Sequence, residues 1–427
     1  MSKAKKFLAM ALCLAMVATL LVGCKGSNSS SGSSNQKVTL TYAIWDKNQQ
    51  PGMKAMADQF TKENPNITIK VEVTSWDQYW TKLEAAANGG SLPDVFWMHS
   101  NNFIKYAKGG KLMDLTDKIA SSTKVKNSNF PDGLVKLYTY NGKQYGIPKD
   151  YDTIGLWYNK TLFDAKGIKY PDDTWDWSKL KDVAKQLTDS SKGIYGFLSP
   201  VDTQEITEDL MYQNGGYPIT DDRSKSGYDL PASIEAVQYA VDFSLKDKSS
   251  PTQSQFTNTS ASQYFESGKG AMGYFGSWMT SEFFANDYTK KNCDVAVLPQ
   301  GKKRASIYNG LGNSISATTK YADAAWKFDE FLGTEEANKI QSNYGSAIPA
   351  YTGMTDGWVQ HFNGFNVKVY PEMLSYAVLH PNNWEGMATF GQQESDGLAA
   401  IYGGKTAVEA GCKDLASKMN ADIAATK

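Results

Sequence analysis

Short β-branched segments alternate with amphipathic segments from residue 38 onward, and this alternation limits the possible folds more than any other feature of the sequence. Residues 38–44 alternate apolar and polar side chains with the period of a strand, whereas the apolar residues of 53–60 recur at helical spacing. Further strands are predicted at 67–73 and 94–98, and further helices at 77–88, closed by Gly89 and Gly90, and at 103–108. This order predicts an α/β fold with a largely parallel sheet between two layers of helices.

A second series of strands and helices begins near residue 146. Strands are predicted at 153–158, 194–198, 270–275 and 293–298, and helices at 177–187 and 234–245. About 390 residues are available for folding after the N-terminal leader, which exceeds the usual size of one hydrophobic core. Two lobes are therefore expected.

The N-terminus has the pattern of a secretory signal peptide in residues 1–23. Three lysines within the first six residues precede an apolar run that is too short for a good permanent membrane span. The motif Leu21-Val22-Gly23-Cys24 resembles the lipobox of bacterial lipoproteins, which implies a lipid on Cys24; an ordinary secretory signal with a chance cysteine is the alternative. Residues 24–36, rich in Ser, Gly and Asn, predict a flexible tether.

Composition excludes several classes of function. Loss of the three leader lysines from 44 basic residues leaves 41 against 45 acidic ones, so nucleic acid is not an expected partner. The chain has three histidines, none at metal-ligand spacing, and no phosphate-loop, dinucleotide or nucleophile-elbow motif, so neither a metal nor a cofactor is expected. Outside the leader and Cys24, Cys293 and Cys412 remain, either as a disulfide or as two buried thiols.

Aromatic and short polar residues follow the predicted strands at one edge of the sheet. Trp45 follows the first strand, Trp76 the second, and the segment 97–102 ends the third. Trp278 follows a strand of the second lobe in the same way. Ligands of such sheets bind outside the carboxyl ends of the strands, so this edge is the predicted binding surface. Core aromatics are the alternative interpretation of Trp45, Trp97 and Trp278.

Several linked motifs resemble the family 1 extracellular solute-binding proteins of ABC importers, the group that includes the maltose-binding protein. They are Gly146–Lys160, Gly276–Trp278, Val297–Pro299, Tyr308–Asn313 and Ala324–Leu332, in the family's order and spacing behind a lipobox. The resemblance implies a two-lobed periplasmic-binding-protein (Venus flytrap, type II) fold. It implies three hinge crossings, near 146–150, 307–312 and 349–371. The implied N-lobe comprises 37–147 with 311–360, and the C-lobe 148–310 with 361–427.

The resemblance also implies the ligand-binding residues. Ser100 and Asn101 stand where the maltose-binding protein has two charged groups, so the resemblance implies polar contacts at these positions but not that protein's particular hydroxyl contacts. Asp152, alternatively a surface carboxylate, falls at the position of a sugar-binding carboxylate, and His99 is either a contact or a structural histidine. The complete candidate set is Trp45, Asn48, Gln49, Trp76, Trp97, His99, Ser100, Asn101, Asp150, Asp152, Trp278, Asn309, Gly310 and Trp384.

Other aromatics have structural interpretations. At least one of Trp76, Tyr79 and Trp80, which recur at helical spacing, is expected in the core. Trp175 and Trp177 are expected to form the entry to a helix.

The residue types at this edge suit a sugar. A tryptophan covers the apolar face of a sugar ring, and amide and carboxylate side chains pair its hydroxyls. The resemblance implies a non-catalytic, monomeric receptor, anchored by lipid at the outer face of the cell membrane, that delivers a carbohydrate to the permease subunits of an ABC importer. A secreted glycosidase, which needs two carboxylates across the scissile bond, is one alternative. The same fold with a polyamine, an anion or a metal as ligand is another.

Overall fold

A computed structural model describes residues 37–425, so the predicted signal peptide, the lipidation site Cys24 and the tether lie outside the described residues. Among residues 37–425, every helix falls short of the length or apolarity that a membrane crossing requires. The strands are β1 (Val38–Ile44), β2 (Ile67–Val73), β3 (Val95–His99), β4 (Thr139–Tyr140), β5 (Lys143–Gln144), β6 (Ile147–Pro148), β7 (Ile154–Asn159), β8 (Met272–Gly276), β9 (Cys293–Ala296), β10 (Ser306–Tyr308), β11 (Leu311–Ile315) and β12 (Ala377–Leu379).

The five helices predicted from the sequence, at 53–60, 77–88, 103–108, 177–187 and 234–245, are confirmed in type and approximate extent, and the described residues form further helices that were not predicted. The helices are α1 (Gln50–Glu63), α2 (Trp76–Gly89), α3 (Ser100–Lys108), α4 (Thr116–Ser121), α5 (Asp132–Leu137), α6 (Lys160–Lys166), α7 (Trp177–Leu187), α8 (Glu208–Asn214), α9 (Pro231–Leu245), α10 (Gln253–Phe256), α11 (Ala261–Glu266), α12 (Thr280–Ala285), α13 (Asp287–Asn292), α14 (Ala322–Leu332), α15 (Glu335–Asn343), α16 (Thr355–His361), α17 (Val369–Met373), α18 (Met387–Tyr402) and α19 (Val408–Ala425). A π-helical turn, Thr203–Thr207, leads directly into α8.

The first lobe is built on a five-stranded sheet of order β2-β1-β3-β11-β6. Strands β1 and β2 pair in parallel along their whole length, from Val38 beside Ile67 to Ile44 beside Val73, and β3 is also parallel to β1. Strand β11 returns much later in the chain and runs antiparallel to β3 and β6. The parallel part of the sheet was predictable from its repeated strand–helix order, and the antiparallel part comes from a distant segment.

The second lobe has a three-stranded sheet of order β8-β7-β9, in which β7 is antiparallel to both neighbours. The strand predicted at 194–198 forms only isolated bridges, of Tyr195 to Gly270 and of Leu198 to Gly273. Trp175 is buried, and Trp177 stacks on Tyr239 at 4.4 Å, so both tryptophans shape the entry to α7 as expected. Cys293 and Cys412 are buried free thiols, which decides between the two alternatives for this pair.

Three chain crossings join the lobes side by side. The first runs between β6 and β7, the second between β10 and β11, and the third follows Pro349. Backbone hydrogen bonds connect them: Lys149 N donates to Leu311 O at 2.8 Å, Asp152 N to Asn309 O at 2.9 Å, and Tyr151 N to Ile348 O at 3.0 Å. The three hinge crossings implied by the family resemblance are thus confirmed.

One acidic side chain of the first lobe lies in an apolar environment. Asp329, in α14, is fully buried, and neither of its carboxyl oxygens has a hydrogen-bond partner. Burial raises the pKa of this carboxyl well above its usual range. The folded protein therefore keeps Asp329 protonated at pH values where the unfolded chain ionises it.

This difference predicts a pH-dependent stability. Because the folded pKa is raised, the stabilisation is present below about pH 4 and decreases by about 1.4 kcal/mol per pH unit above it. We expect wild type to lose stability relative to Asp329→Asn as the pH rises from 4 to 8, measured by urea unfolding. Asp414→Asn, which changes an exposed carboxyl paired with Lys418, is the control. A pH-independent difference between wild type and Asp329→Asn would contradict the prediction.

Candidate functional site

An aromatic wall, formed by Trp45, Trp76, Tyr79, Trp80 and Trp97, lies at the carboxyl ends of the first strands. The ring of Trp45 makes edge contacts with Trp76 at 5.1 Å, Tyr79 at 5.0 Å and Trp97 at 5.0 Å, and a tilted contact with Trp80 at 5.8 Å. Edge-to-face packing holds the rings rigidly and leaves the outer rings free to present a face. Residues that follow different strands therefore meet at one place, as the sequence predicted.

The members of this wall differ in exposure. Trp76 is 42% exposed and Trp45 is half-buried, whereas Tyr79 is buried and Trp97 has no exposed area. The indole of Trp97 donates from Nε1 to the Tyr42 hydroxyl at 2.7 Å, and the Tyr79 hydroxyl donates to the Trp97 carbonyl at 2.7 Å. Trp97 accordingly supports Trp45 from behind, as a core aromatic would. The accessible rings of the wall are those of Trp76, which is exposed, and of Trp45 and Trp80, which are half-buried.

A polar loop before α1 lies beside the aromatic wall. Asp46 accepts the backbone N–H of Asn48 through Oδ1 at 2.7 Å and the side-chain amide of Gln49 through Oδ2 at 2.9 Å. The side-chain oxygen of Gln49, Oε1, accepts a hydrogen bond from Lys149 Nζ at 2.9 Å. Asn48 is half-buried, whereas Gln49 is only 3% exposed, so its amide is held within the protein.

Neutral hydrogen-bonding side chains connect α3 with the second crossing and with the segment between β12 and α18. Ser100 Oγ donates to Asn309 Oδ1 at 2.9 Å, and Asn382 Nδ2 donates to Ser100 Oγ at 2.6 Å and to Asn101 Oδ1. Asn382 Nδ2 also lies 2.8 Å from His380 Nδ1. Ser100, Asn309 and Asn382 are buried, and Asn101 is exposed at the end of this chain of hydrogen bonds.

His99 is a neutral member of the site. Its Nδ1 accepts the backbone N–H of Asn101 at 3.2 Å, and its ring packs edge-on against Trp76 at 5.4 Å. Burial, followed by the proximity of His380, lowers the pKa of His99 to about 3. The ring is therefore uncharged at physiological pH and fixes the start of α3.

The second lobe contributes carboxylates and amides. Gln204 Nε2 donates to Asp152 Oδ1 at 2.7 Å, and Glu205 Oε1 accepts the backbone N–H of Gly276 at 2.8 Å, just before Trp278. Burial raises the pKa of Asp152 well above its usual range, and the nearby Asp150 raises it further. Within the described part of the chain, no group of three or more His, Cys, Asp or Glu side chains is arranged to hold a metal ion.

Two further candidate tryptophans, Trp278 and Trp384, pack against the core of the second lobe. Trp278 is half-buried against the core of the second lobe. Trp384 is also half-buried; its ring packs edge-on against Phe390 at 5.6 Å, and its Nε1 has no hydrogen-bond partner. Both are anchored by packing and retain accessible area for a ligand.

Sequence reasoning missed four polar residues of this region: Gln204, Glu205, His380 and Asn382. Gln204 and Glu205 follow the strand-end segment Ser199–Asp202, so reading a few residues further along would have found them. His380 lies against Glu208, with Nε2 3.3 Å from Oε2 of the carboxylate, a pairing between distant parts of the chain. No local pattern signals that contact.

The candidate residues Asp150 and Gly310 have structural roles at the crossings. Asp150 is 5% exposed, and its Oδ1 accepts the backbone N–H of Leu311 at 2.7 Å. A Cβ atom added at Gly310 would lie 2.2 Å from the Asp150 carbonyl oxygen and 2.8 Å from Leu134 Cδ2. Glycine is therefore required where the first two crossings approach each other.

Gly310→Ala should consequently destabilise the protein. We expect the free energy of unfolding to fall by about 1–3 kcal/mol, because the backbone of one crossing must shift to relieve the clash. Gly89→Ala is a matched control, since its nearest atom would be 3.7 Å away and alanine favours the helix by up to about 1 kcal/mol. Urea unfolding measures both variants. A Gly310→Ala protein as stable as Gly89→Ala would contradict the requirement for close approach.

Comparison with known proteins places the chain among binding proteins. The family model of the bacterial extracellular solute-binding proteins matches residues 46–339. The galactooligosaccharide-binding protein of Bacillus subtilis is 27% identical over 366 residues, which cover 83% of each chain. The maltodextrin-binding protein of the same organism is 25% identical over 351 residues, 78% of this chain and 79% of that one.

Solved structures share the architecture. An ABC substrate-binding protein from Listeria monocytogenes, in complex with cycloalternan, aligns with a TM-score of 0.85 at 26% identity, over 91% of this chain and all of the other. The maltose-bound MalE3 of T. maritima has the same fold, with a TM-score of 0.75 at 20% identity, over 90% of this chain and 99% of its own. The family match extends over more than half of the sequence, and the chain belongs to the bacterial extracellular solute-binding protein family.

Proposed function

We propose that this protein is the receptor of an ABC importer and binds an oligosaccharide between its two lobes. The observation that carries the proposal is the meeting of accessible tryptophan faces with amide and carboxylate side chains where three chain crossings join the lobes. Trp45 and Trp76 lie on the first lobe, and Asp152, Gln204 and Trp278 on the second. The relatives named for galactooligosaccharides and maltodextrins favour the same class of ligand.

The chemistry of these groups matches a sugar. An indole ring covers the C–H face of a pyranose without losing many rotamers, and Asp152, Gln204 and Asn101 have oxygens and amides that pair with hydroxyl groups. Each hydroxyl that leaves water unpaired costs about 1–3 kcal/mol, so the amides also provide specificity. An affinity near one micromolar corresponds to about −8 kcal/mol, which a few stacked rings and hydrogen bonds supply.

The same proposal includes a division of the chain and a mode of action. The N-lobe comprises 37–147 with 311–360, the C-lobe 148–310 with 361–427, and the lobes close on the sugar by rotation at the crossings. The closed form of the monomer delivers the sugar to the permease subunits without chemical change. The lipid on Cys24 holds the receptor at the outer face of the membrane, and residues 24–36 allow it to reach the permease.

A panel of sugars tests the function. Thermal shift and calorimetry with maltotriose, maltotetraose, galactobiose, arabinotriose, raffinose, glucose and galactose should reveal a ligand that raises the melting temperature, since it binds the native state alone. Chromatography of the same mixtures after long incubation should return the sugars intact. Shorter products would favour a glycosidase, and the absence of binding to the whole panel would contradict the proposal.

Trp76→Ala should weaken sugar binding with little loss of stability. The ring is 42% exposed, so its removal costs few core contacts, while loss of a stacking surface should raise the Kd by about ten- to thirty-fold. Tyr344→Ala is the control, because Tyr344 is 50% exposed and lies outside the candidate site. Calorimetry measures both. Equal Kd values for Trp76→Ala and Tyr344→Ala would remove Trp76 from the site.

Cys24→Ala should release the protein from the membrane. Without the thiol no lipid can be attached, so the variant should either remain uncleaved or appear in the soluble fraction, whereas wild type remains with membranes. Cell fractionation with immunoblotting, and the mass of the processed N-terminus, measure the difference. Cys412→Ala, which removes a buried thiol, is the control. Identical processing and membrane retention of wild type and Cys24→Ala would contradict lipid anchoring.

A further inference from the structure

Lys149 has its charged end buried where the first crossing meets the candidate site. Its side chain is only 2% exposed, and Nζ lies 2.7 Å from Asp150 Oδ2 and 2.9 Å from Gln49 Oε1. The same nitrogen lies 4.2 Å from the ring centroid of Trp97. Two oxygens and one aromatic face thus interact with the three N–H groups of the ammonium, so no N–H group remains to bind a ligand.

The partners of this ammonium all belong to the candidate site or support it. Gln49 is bonded to Asp46, which also holds the backbone of Asn48. Trp97 lies behind Trp45, the central ring of the aromatic wall. A shift of the ammonium therefore moves both the polar loop before α1 and the ring that supports the wall.

The backbone of Lys149 is held by the other two crossings. Its N–H donates to the Leu311 carbonyl at 2.8 Å, and its carbonyl accepts from Ala350 N at 3.1 Å and from Gln341 Nε2 at 3.0 Å. Lys149 is thus fixed at its backbone by the hinge and at its ammonium by the site. Lys149 therefore links the segments of all three crossings to Gln49 and Trp97.

We propose that Lys149 is a positioning residue that orients Gln49 and Trp97 for ligand binding and couples them to the hinge. The inference rests on the proposed sugar-binding function of the same site. Lysine suits this role because a buried ammonium must keep all its partners, so the geometry around it is tightly determined. A neutral side chain of similar length, such as methionine, would leave the side-chain oxygen of Gln49 without a hydrogen-bond donor. It would also leave the Trp97 ring without a cation on its face.

The chain provides a matched control at Lys181. Its ammonium lies 2.8 Å from Asp242, 3.4 Å from Asp247 and 5.4 Å from the ring centroid of Tyr239, and its side chain is 19% exposed. This arrangement of one lysine, carboxylates and an aromatic ring resembles that at Lys149 but lies outside the candidate site. Lys181→Met reports the cost to stability alone.

The test is calorimetric titration of the full-length protein with the panel sugar that wild type binds most tightly. Lys149→Met should raise the Kd at least about ten-fold, whereas Lys181→Met should leave it within about two-fold of wild type, although both lower the melting temperature. Gln49→Ala should weaken binding, and Gln49→Ala with Lys149→Met should bind no more weakly than the weaker single variant, since the two act as a unit. Lys149→Arg, which keeps a cation, should recover part of the affinity.

Two results of these titrations would overturn the proposal. A Kd for Lys149→Met within two-fold of wild type would contradict it, and so would additive losses in the double variant, which a general loss of stability would produce. If Lys149→Met does not fold, Lys149→Met with Asp150→Asn removes the uncompensated carboxylate and is compared with Asp150→Asn alone, again with a ten-fold loss expected. A wild-type protein that binds none of the panel would overturn both this proposal and the proposed function.

Discussion

The backbone hydrogen bonds among the three crossings are the constraint on which the rest of the structure depends. Lys149, Leu311 and Ala350 belong to segments far apart in the chain, and they share these bonds where the two sheets approach each other. Backbone groups buried at this place must be paired, so the crossings have little freedom to separate. The strand ends of both lobes are thereby brought to one region.

Under the proposed function, the aromatic wall serves both packing and binding. Trp97 and Tyr79 are core residues that hydrogen-bond through their polar atoms, and Trp45 packs on them. Trp76 completes the cluster at the surface. A ring that is already held by its neighbours loses little conformational entropy when a ligand covers its free face. The buried rings of Trp97 and Tyr79 should therefore favour ligand binding by the more exposed rings of Trp45 and Trp76.

Polar groups near the crossings are neutral or paired, which follows from the cost of burying charge. His99 is uncharged because burial lowers its pKa. Burial raises the pKa of Asp152, which favours the protonated, neutral form of this carboxyl group. Lys149 is paired with Asp150 and Gln49. Donors and acceptors that are neutral or already paired within the protein suit a neutral, hydroxyl-rich ligand, because no unpaired charge of the protein must lose its water on binding.

The sequence by itself determined the main strands and helices of the first 110 residues, the parallel part of the first sheet and the strand ends at which the aromatic residues gather. These follow from periodicity and from residue order, which are local properties. The tertiary structure decided which of those aromatics are accessible: Trp76 is exposed, and Trp97 is covered by Lys149, Tyr42 and Trp45. It also decided that Gly310 lies too close to the Asp150 backbone to carry a side chain, and that the Asn382 amide donates a hydrogen bond to Ser100. Burial and pairing of these residues depend on segments hundreds of positions apart, and no local pattern encodes such contacts.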